Sequence, residues 1–226
     1  VKVPALPQTG TRIKICGVTT VEQARFIAGL GVESIGVNFV PGSPRRVDEA
    51  VAREVVRAVG DQVLVVAVVA GLDVAALRAL RDRTGVGCLQ LHDDDPTATV
   101  EALLPHAYAA VRVASSRDIS HAEQAPGQYV MVDAKVGRHV SGSAGAWSKS
   151  GEALGGTGHT FDWNLVVDLA KKRKLVLAGG LRPDNVGRAI RLVHPFCVDV
   201  ASGVEAAPGI KDPERVRAFV DAVRSA

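Results

Sequence analysis

The chain has 226 residues, 27 of them basic and 24 acidic, for a formal net charge of +3. That length suits one large α/β domain, and the mixed charge argues against disorder. So small a basic excess, with no aromatic-basic interleaving, excludes the concentrated basic stripe of a nucleic-acid binder. Cys16, Cys88 and Cys197 are far apart and form no CxxC pair. Wide, odd spacing points to reduced thiols in a cytoplasm-like compartment. No apolar run is long enough to span a bilayer, and "VKVPALPQTG" lacks the apolar stretch of a signal peptide, so no membrane partner is expected.

Residues 1–11 read as a short tail, broken by Pro4, Pro7 and Gly10. From Arg12 onward one unit recurs: a β-branched run, a turn, then a helical stretch. Arg12 to Cys16 is the first strand, and Thr20 caps a helix with Gln23 in capping-box register. Strands are expected next at Ser34–Val40, Val63–Val69, Cys88–His92, Tyr108–Val113 and Tyr129–Asp133. Helices are expected at Asp48–Val59, Asp73–Arg83, from Pro96, and at Ser116–Glu123. A Gly/Ser-rich loop over about 134–160 precedes a helix at Asp162–Lys172. Leu175–Ala178 and Phe196–Val200 are the last strands. A helix at Arg182–Leu192 lies between them, and Asp212–Pro213 opens the last helix. Eight alternating units imply a closed (β/α)₈ TIM barrel over residues 12–226. An open doubly wound sheet is the alternative, but "CGVTT" is not its glycine fingerprint.

In such barrels chemistry sits at the C-terminal ends of the strands. Those ends carry Cys16, Asn38, His92, Asp133, Gly179-Gly180, and Asp199 with Ala201-Ser202-Gly203. "LAGGL" and "VDVASGVE" close strands seven and eight. Glycine turns there form anion-binding nests, so Gly179, Gly180, Ser202 and Gly203 are expected to hold a phosphate, with Gly156 of "GGTG" as a further patch. Asp133 ends a buried strand, a costly place for a carboxylate without a partner or a task. Cys88 and Cys197 lie inside strands and read as small apolar side chains. Cys16 lies at a strand end, where a thiol of lowered pKa can act as a base.

The ordered motifs "KICGVTT", "SPRRV", "LQLH", "MVDA", "GGTGHTFDW", "LAGGLRPDNV" and "VDVASGVEAAPGIKD" resemble the phosphoribosylanthranilate isomerase family of tryptophan biosynthesis, from about Arg12 to Arg224. The resemblance implies an Amadori rearrangement of a small phosphorylated substrate, with no metal or organic cofactor. It implies Cys16 as general base, Asp133 as general acid and Arg45 as the residue holding the anthranilate part. Asp199 is expected near the sugar or the amine, with His92 among the substrate-binding residues. The barrel is large enough to stand alone as a monomer; a dimer stays open.

Several positions depart from the family pattern. Asp93 follows "LQLH" where a glycine is usual, and opens a run of three acids read as a solvated loop face. Val69, Ala70 and Gly71 replace larger or polar groups, and Ala201 stands in the serine pair of strand eight. The loop after Asp133 is longer than the family norm, with Trp147 its one large apolar residue. Other phosphoribosyl aminoaldose–ketose isomerases are a competing reading, although a carboxylate is expected in them where Cys16 stands. A copy specialised to another pathway and a non-catalytic phosphate-binding barrel are the further alternatives.

Overall fold

The computed structural model describes residues 10–113, 115–134 and 162–226. Eight parallel strands close a barrel in chain order: β1 (Arg12–Cys16), β2 (Ser34–Asn38), β3 (Leu64–Val69), β4 (Cys88–Leu91), β5 (Ala107–Val113), β6 (Tyr129–Ala134), β7 (Lys174–Leu177) and β8 (Cys197–Val200). β8 pairs back onto β1, with Lys14 opposite Asp199. Around the strands run α1 (Val21–Gly29), α2 (Glu49–Val59), α3 (Val74–Thr84), α4 (Thr97–Leu103), α5 (Ser116–Gln124), α6 (Val167–Lys172), α7 (Val186–Val193) and α8 (Pro213–Arg224).

The two-residue period of a strand divides each one between two cores. On β1, Ile13 and Ile15 face outward and join the large core shared with the helices, alongside Ala24 and Ile27 of α1 and Phe219 of α8. Each isoleucine or phenylalanine among them contributes about 1.5–3 kcal/mol by leaving water. Lys14 and Cys16 face inward. The barrel's interior is filled by Val66, Tyr108, Ala110, Met131, Val176 and Cys197. Cys16, Val40 and Val68 form a separate small cluster, with Ala70 and Ala201 packed against it.

Capping follows the expected residues. Asp48, Asp73 and Asp212 each accept a backbone N–H of the helix they open. Thr20 accepts from Gln23 N–H at 3.2 Å, but the Gln23 side chain passes over Thr20 to accept from Thr19 N–H and donate to Gly209 O. The expected capping box is therefore only half built, because the glutamine ties the β1 loop to the β8 loop instead. Pro96 caps α4 rather than starting it. Asp162 caps a 3₁₀ turn, Trp163–Val166, before α6 begins. α7 starts at Val186, later than expected, because Asn185 Oδ1 accepts from Arg182 N–H and ties residues 182–185 into a turn. A hairpin of β9 (Glu205–Ala207) and β10 (Ile210–Lys211) after β8 was not expected. The long loop expected at about 134–160 lies outside the described residues beyond Ala134.

Candidate active site

Cys16 ends β1 with its side chain buried at the mouth of the barrel. It shares the inward face with Lys14, whose ammonium lies 2.9 Å from Asp199 Oδ1 on β8. Lys14 is 2 % exposed. Burial disfavours its charge, yet Asp199, Cys16 and Tyr108 together hold its pKa well above the ordinary lysine value. Room for the thiol comes from Gly36 on β2, the register partner of Cys16. A Cβ on Gly36 would stand 2.6 Å from Cys16 Sγ and 3.2 Å from Lys14 Nζ. Burial pushes the Cys16 thiol up, against the downward pull of Lys14 and Lys211. The sequence predicts a thiol of lowered pKa; in the folded chain desolvation wins.

Asp133 is the last residue but one of β6, which runs on to Ala134; it is buried, on the same inward face as Met131. The order of strands around the barrel sets β1 and β6 apart, with β7 and β8 between them, so Cys16 and Asp133 look into one mouth from different sides. Below the mouth runs a neutral chain: Tyr108 O–H donates to Gln90 Oε1 at 2.8 Å, and Gln90 Nε2 meets His92 Nε2 at 2.6 Å. The amide nitrogen is a donor, so His92 Nε2 accepts and the ring proton sits on Nδ1. Nδ1 is buried and has no hydrogen-bond partner among the described residues. Burial, with the charges of Lys14 and Arg112, pulls His92 down to about 3, so the ring is neutral at physiological pH.

Arg45 closes the β1–β8 side. Its Nε and Nη2 bind Glu205 at 2.9 and 2.7 Å, and Lys211 Nζ reaches the same carboxylate at 2.9 Å. Burial would raise the Glu205 carboxyl, but Arg45 and Lys211 outweigh it and hold it below the usual range. Lys211 also donates to Ala201 O at 3.1 Å. Gly17, at φ +74°, passes directly under Arg45, whose Cδ would be 2.5 Å from a Cβ there.

The two expected glycine loops lie against each other. A Cβ at Gly203 would fall 1.9 Å from Leu181 O, so only glycine lets the β8 loop touch the β7 loop. Gly179 and Gly180 hold φ of +90° and +64°, and Ser202 opens a 3₁₀ turn, Ser202–Val204. Among the described residues, no acceptor meets the backbone N–H of Gly179, Gly180, Ser202 or Gly203. Gly156 lies outside the described residues.

Every described candidate except Asn38 thus borders the mouth or the polar chains beneath it. Asn38 turns its Oδ1 to Val40 N–H and closes a local turn. Sequence reasoning passed over Lys14, Gly36, Gln90, Tyr108, Glu205 and Lys211. The signal for Lys14 was a lysine inside an apolar strand, two residues from Cys16 and hence on its face. Glu205 and Lys211 gave no such signal, since their meeting depends on the β9–β10 hairpin. The two departures at Gly71 and Asp93 are one feature: Asp93 Oδ1 accepts Gly71 N–H at 2.6 Å. Half-buried Asp93 is therefore not simply a solvated face.

The closed parallel barrel with its polar C-terminal mouth places the chain among (β/α)₈-barrel enzymes. The profile of the N-(5'-phosphoribosyl)anthranilate (PRA) isomerase family matches residues 13–222. The N-(5'-phosphoribosyl)anthranilate isomerase of Pseudomonas aeruginosa strain LESB58 is 44% identical over 217 residues, 95% of each chain. The crystal structure of phosphoribosyl anthranilate isomerase from Thermotoga maritima superposes with a TM-score of 0.82 at 30% identity, covering 96% of this chain and all of that one. A further structure of such an isomerase, in complex with reduced 1-(o-carboxyphenylamino)-1-deoxyribulose 5-phosphate, gives 0.80 at 29% identity, covering 96% of this chain and 100% of that one. The chain belongs to the PRA isomerase family.

Proposed function

We propose that this chain converts N-(5-phosphoribosyl)anthranilate into 1-(2-carboxyphenylamino)-1-deoxyribulose 5-phosphate, with Cys16 as general base and Asp133 as general acid. The observation that carries the assignment is their placement: a thiol ending β1 and a buried carboxyl near the end of β6 face one mouth. The solved relative bound to a reduced form of that product supports the substrate class.

The chemistry needs both groups. Protonated Asp133 gives its proton to the ring oxygen as the C1–O bond breaks, and the anilino nitrogen lone pair forms a C1=N iminium. The Cys16 thiolate then removes the C2 proton, and the electron pair closes C1=C2 while nitrogen recovers its own. The enolamine gains a proton at C1 and loses one from the C2 hydroxyl, leaving the ketose. Positioned acid and base groups each contribute about 10²–10⁴-fold. The 5-phosphate lies on the β7 and β8 loops, where the N–H groups of Gly179, Gly180, Ser202 and Gly203 receive it, with Gly156 as a further contact. Arg45 takes the anthranilate carboxylate through Nη1, the nitrogen that Glu205 leaves unused. Asp199 and His92 line the sugar side. The enzyme works as a monomer in a cytoplasm-like compartment. Among the described residues no helix is long and apolar enough to cross a membrane.

The test is a fluorescence assay in which phosphoribosylanthranilate is generated in situ. Wild type should speed its disappearance well above spontaneous hydrolysis. Cys16→Ala and Asp133→Asn should each lose most turnover while staying folded, and Arg45→Ala should mainly raise KM. Near wild-type kcat in both acid–base variants would overturn the assignment.

A further inference from the structure

We propose that Lys14 is the charge partner of Cys16, a positioning residue whose ammonium stabilises the thiolate that the base needs. The inference rests on Cys16 being the base and adds what makes it one. Three observations carry it. Lys14 and Cys16 are two residues apart on one strand and project to the same inward face. Both reactive ends crowd a single point: Sγ and Nζ lie 2.6 and 3.2 Å from where a Gly36 Cβ would be. That puts the ammonium within the ~4–6 Å over which an opposite charge favours an ionised group. Third, the ammonium is held there by Asp199 at 2.9 Å, on the strand that β1 pairs with. A buried lysine without such an anchor loses its proton and its use as a cation.

The neighbours of the thiol decide the sign. Lys14 on β1 and Lys211 after β8 favour the thiolate, whereas Asp199 on β8 and burial oppose it. Tyr108 on β5 and His92 just after β4 feel the same ammonium, Tyr108 as a potential anion and His92 as a ring kept neutral. Asp133 faces the mouth from β6. Lys14 acts on the thiol more strongly than either Asp199 or Lys211, so its removal outweighs the removal of Asp199 with it.

The experiment reads the thiol directly. Iodoacetamide alkylation of Cys16 is followed from pH 7 to 11 by mass spectrometry, which separates its peptide from those of Cys88 and Cys197; where a midpoint lies above that range, the rate at a fixed pH below it is compared. The variants are Lys14→Gln and the neutral pair Lys14→Met/Asp199→Asn, which avoids an unpaired buried carboxylate if the single variant fails to fold; circular dichroism verifies folding. The alkylation midpoint should move up by about one pH unit or more, an about tenfold slower reaction at pH 8. Lys211→Met should move it the same way by less. An unmoved midpoint in a folded Lys14 variant, or a larger shift from Lys211→Met, would overturn the proposal. Turnover separates the two readings: if Cys16→Ala stays active while the midpoint moves, the base assignment fails and the charge pairing stands. If Cys16→Ala is dead and the midpoint is unmoved, the pairing fails alone.

Discussion

Two buried polar chains cross the inside of this barrel, and they solve the same problem in opposite ways. On the β1–β8 side, Lys14 and Asp199 are buried as ions, each charge answered by the other at 2.9 Å. On the β4–β5 side, Tyr108, Gln90 and His92 are linked by neutral hydrogen bonds of 2.8 and 2.6 Å. The ammonium of Lys14 is part of why both are stable: it sustains the charged chain and, with burial, keeps a second cation from forming on His92. One positive charge in the interior thus pulls toward an ionised thiol on one side, against burial, and toward a neutral imidazole on the other.

Breaking the charged chain should cost most. Asp199→Leu leaves an ammonium buried without its anion, a change worth about 3–5 kcal/mol. Gln90→Leu leaves only neutral donors and acceptors unmet, about 1–3 kcal/mol. Urea unfolding of both variants should show the larger drop for Asp199. Equal losses would mean that charge is not what distinguishes the two chains.

The next test bears on the space between Lys14 and Cys16. Gly36→Ala introduces a Cβ 2.6 Å from the sulfur, so the thiol must shift. Overpacking of this kind costs about 1–3 kcal/mol. A base displaced by even 1 Å loses on the order of 10²-fold in rate. We expect kcat to fall far more than KM rises, because the glycine loops of β7 and β8 are untouched.

The neutral chain makes a pH prediction. His92 has its pKa lowered by folding to about 3, while an unfolded histidine titrates at about 6.5. Between those values the unfolded chain binds a proton that the native chain does not. Stability from this group is therefore complete above about pH 6.5 and is lost as pH falls toward 3, by up to about 1.4 kcal/mol per pH unit. Near pH 5 the loss is about 2 kcal/mol. Thermal unfolding of His92→Asn against pH should show a flatter acid limb than wild type; parallel curves would show that the ring does not titrate this way.

These chains also mark how far the sequence could be read. The barrel was legible because strand and helix periods alternate cleanly, and strand bounds such as Arg12–Cys16 needed no revision. Cys16, His92, Asp133 and Asp199 were legible because a strand end is a place that a linear pattern can locate. The partners were not. Lys14 meets Asp199 across 185 positions of sequence, and only barrel closure brings β8 beside β1. Arg45 meets Glu205 across 160 positions, through a hairpin whose Pro208-Gly209 turn is marked but whose strands are too short to show alternation. Gly36 looked like one glycine among 23, because what it makes room for lies on the neighbouring strand. The direction of the Cys16 shift was missed for the same reason: burial is a property of the closed mouth, not of "KICG".

The smallest effect is the most discriminating for the neutral chain. Tyr108→Phe removes one hydroxyl from the barrel interior and leaves Gln90 Oε1 without its donor, at a cost of about 1 kcal/mol. Freed of that donor, the Gln90 amide can turn and offer its oxygen to His92, which would move the ring proton from Nδ1 to Nε2. Nitrogen chemical shifts of the His92 ring should show a proton on Nδ1 in wild type and a mixture of tautomers in the variant. Asp199→Asn, by contrast, should leave that tautomer unchanged, since Asp199 bonds Lys14 and neither Gln90 nor His92. A tautomer that ignores Tyr108 and follows Asp199 would show that the two chains are one network, and the contrast between a charged side and a neutral side would have to be abandoned.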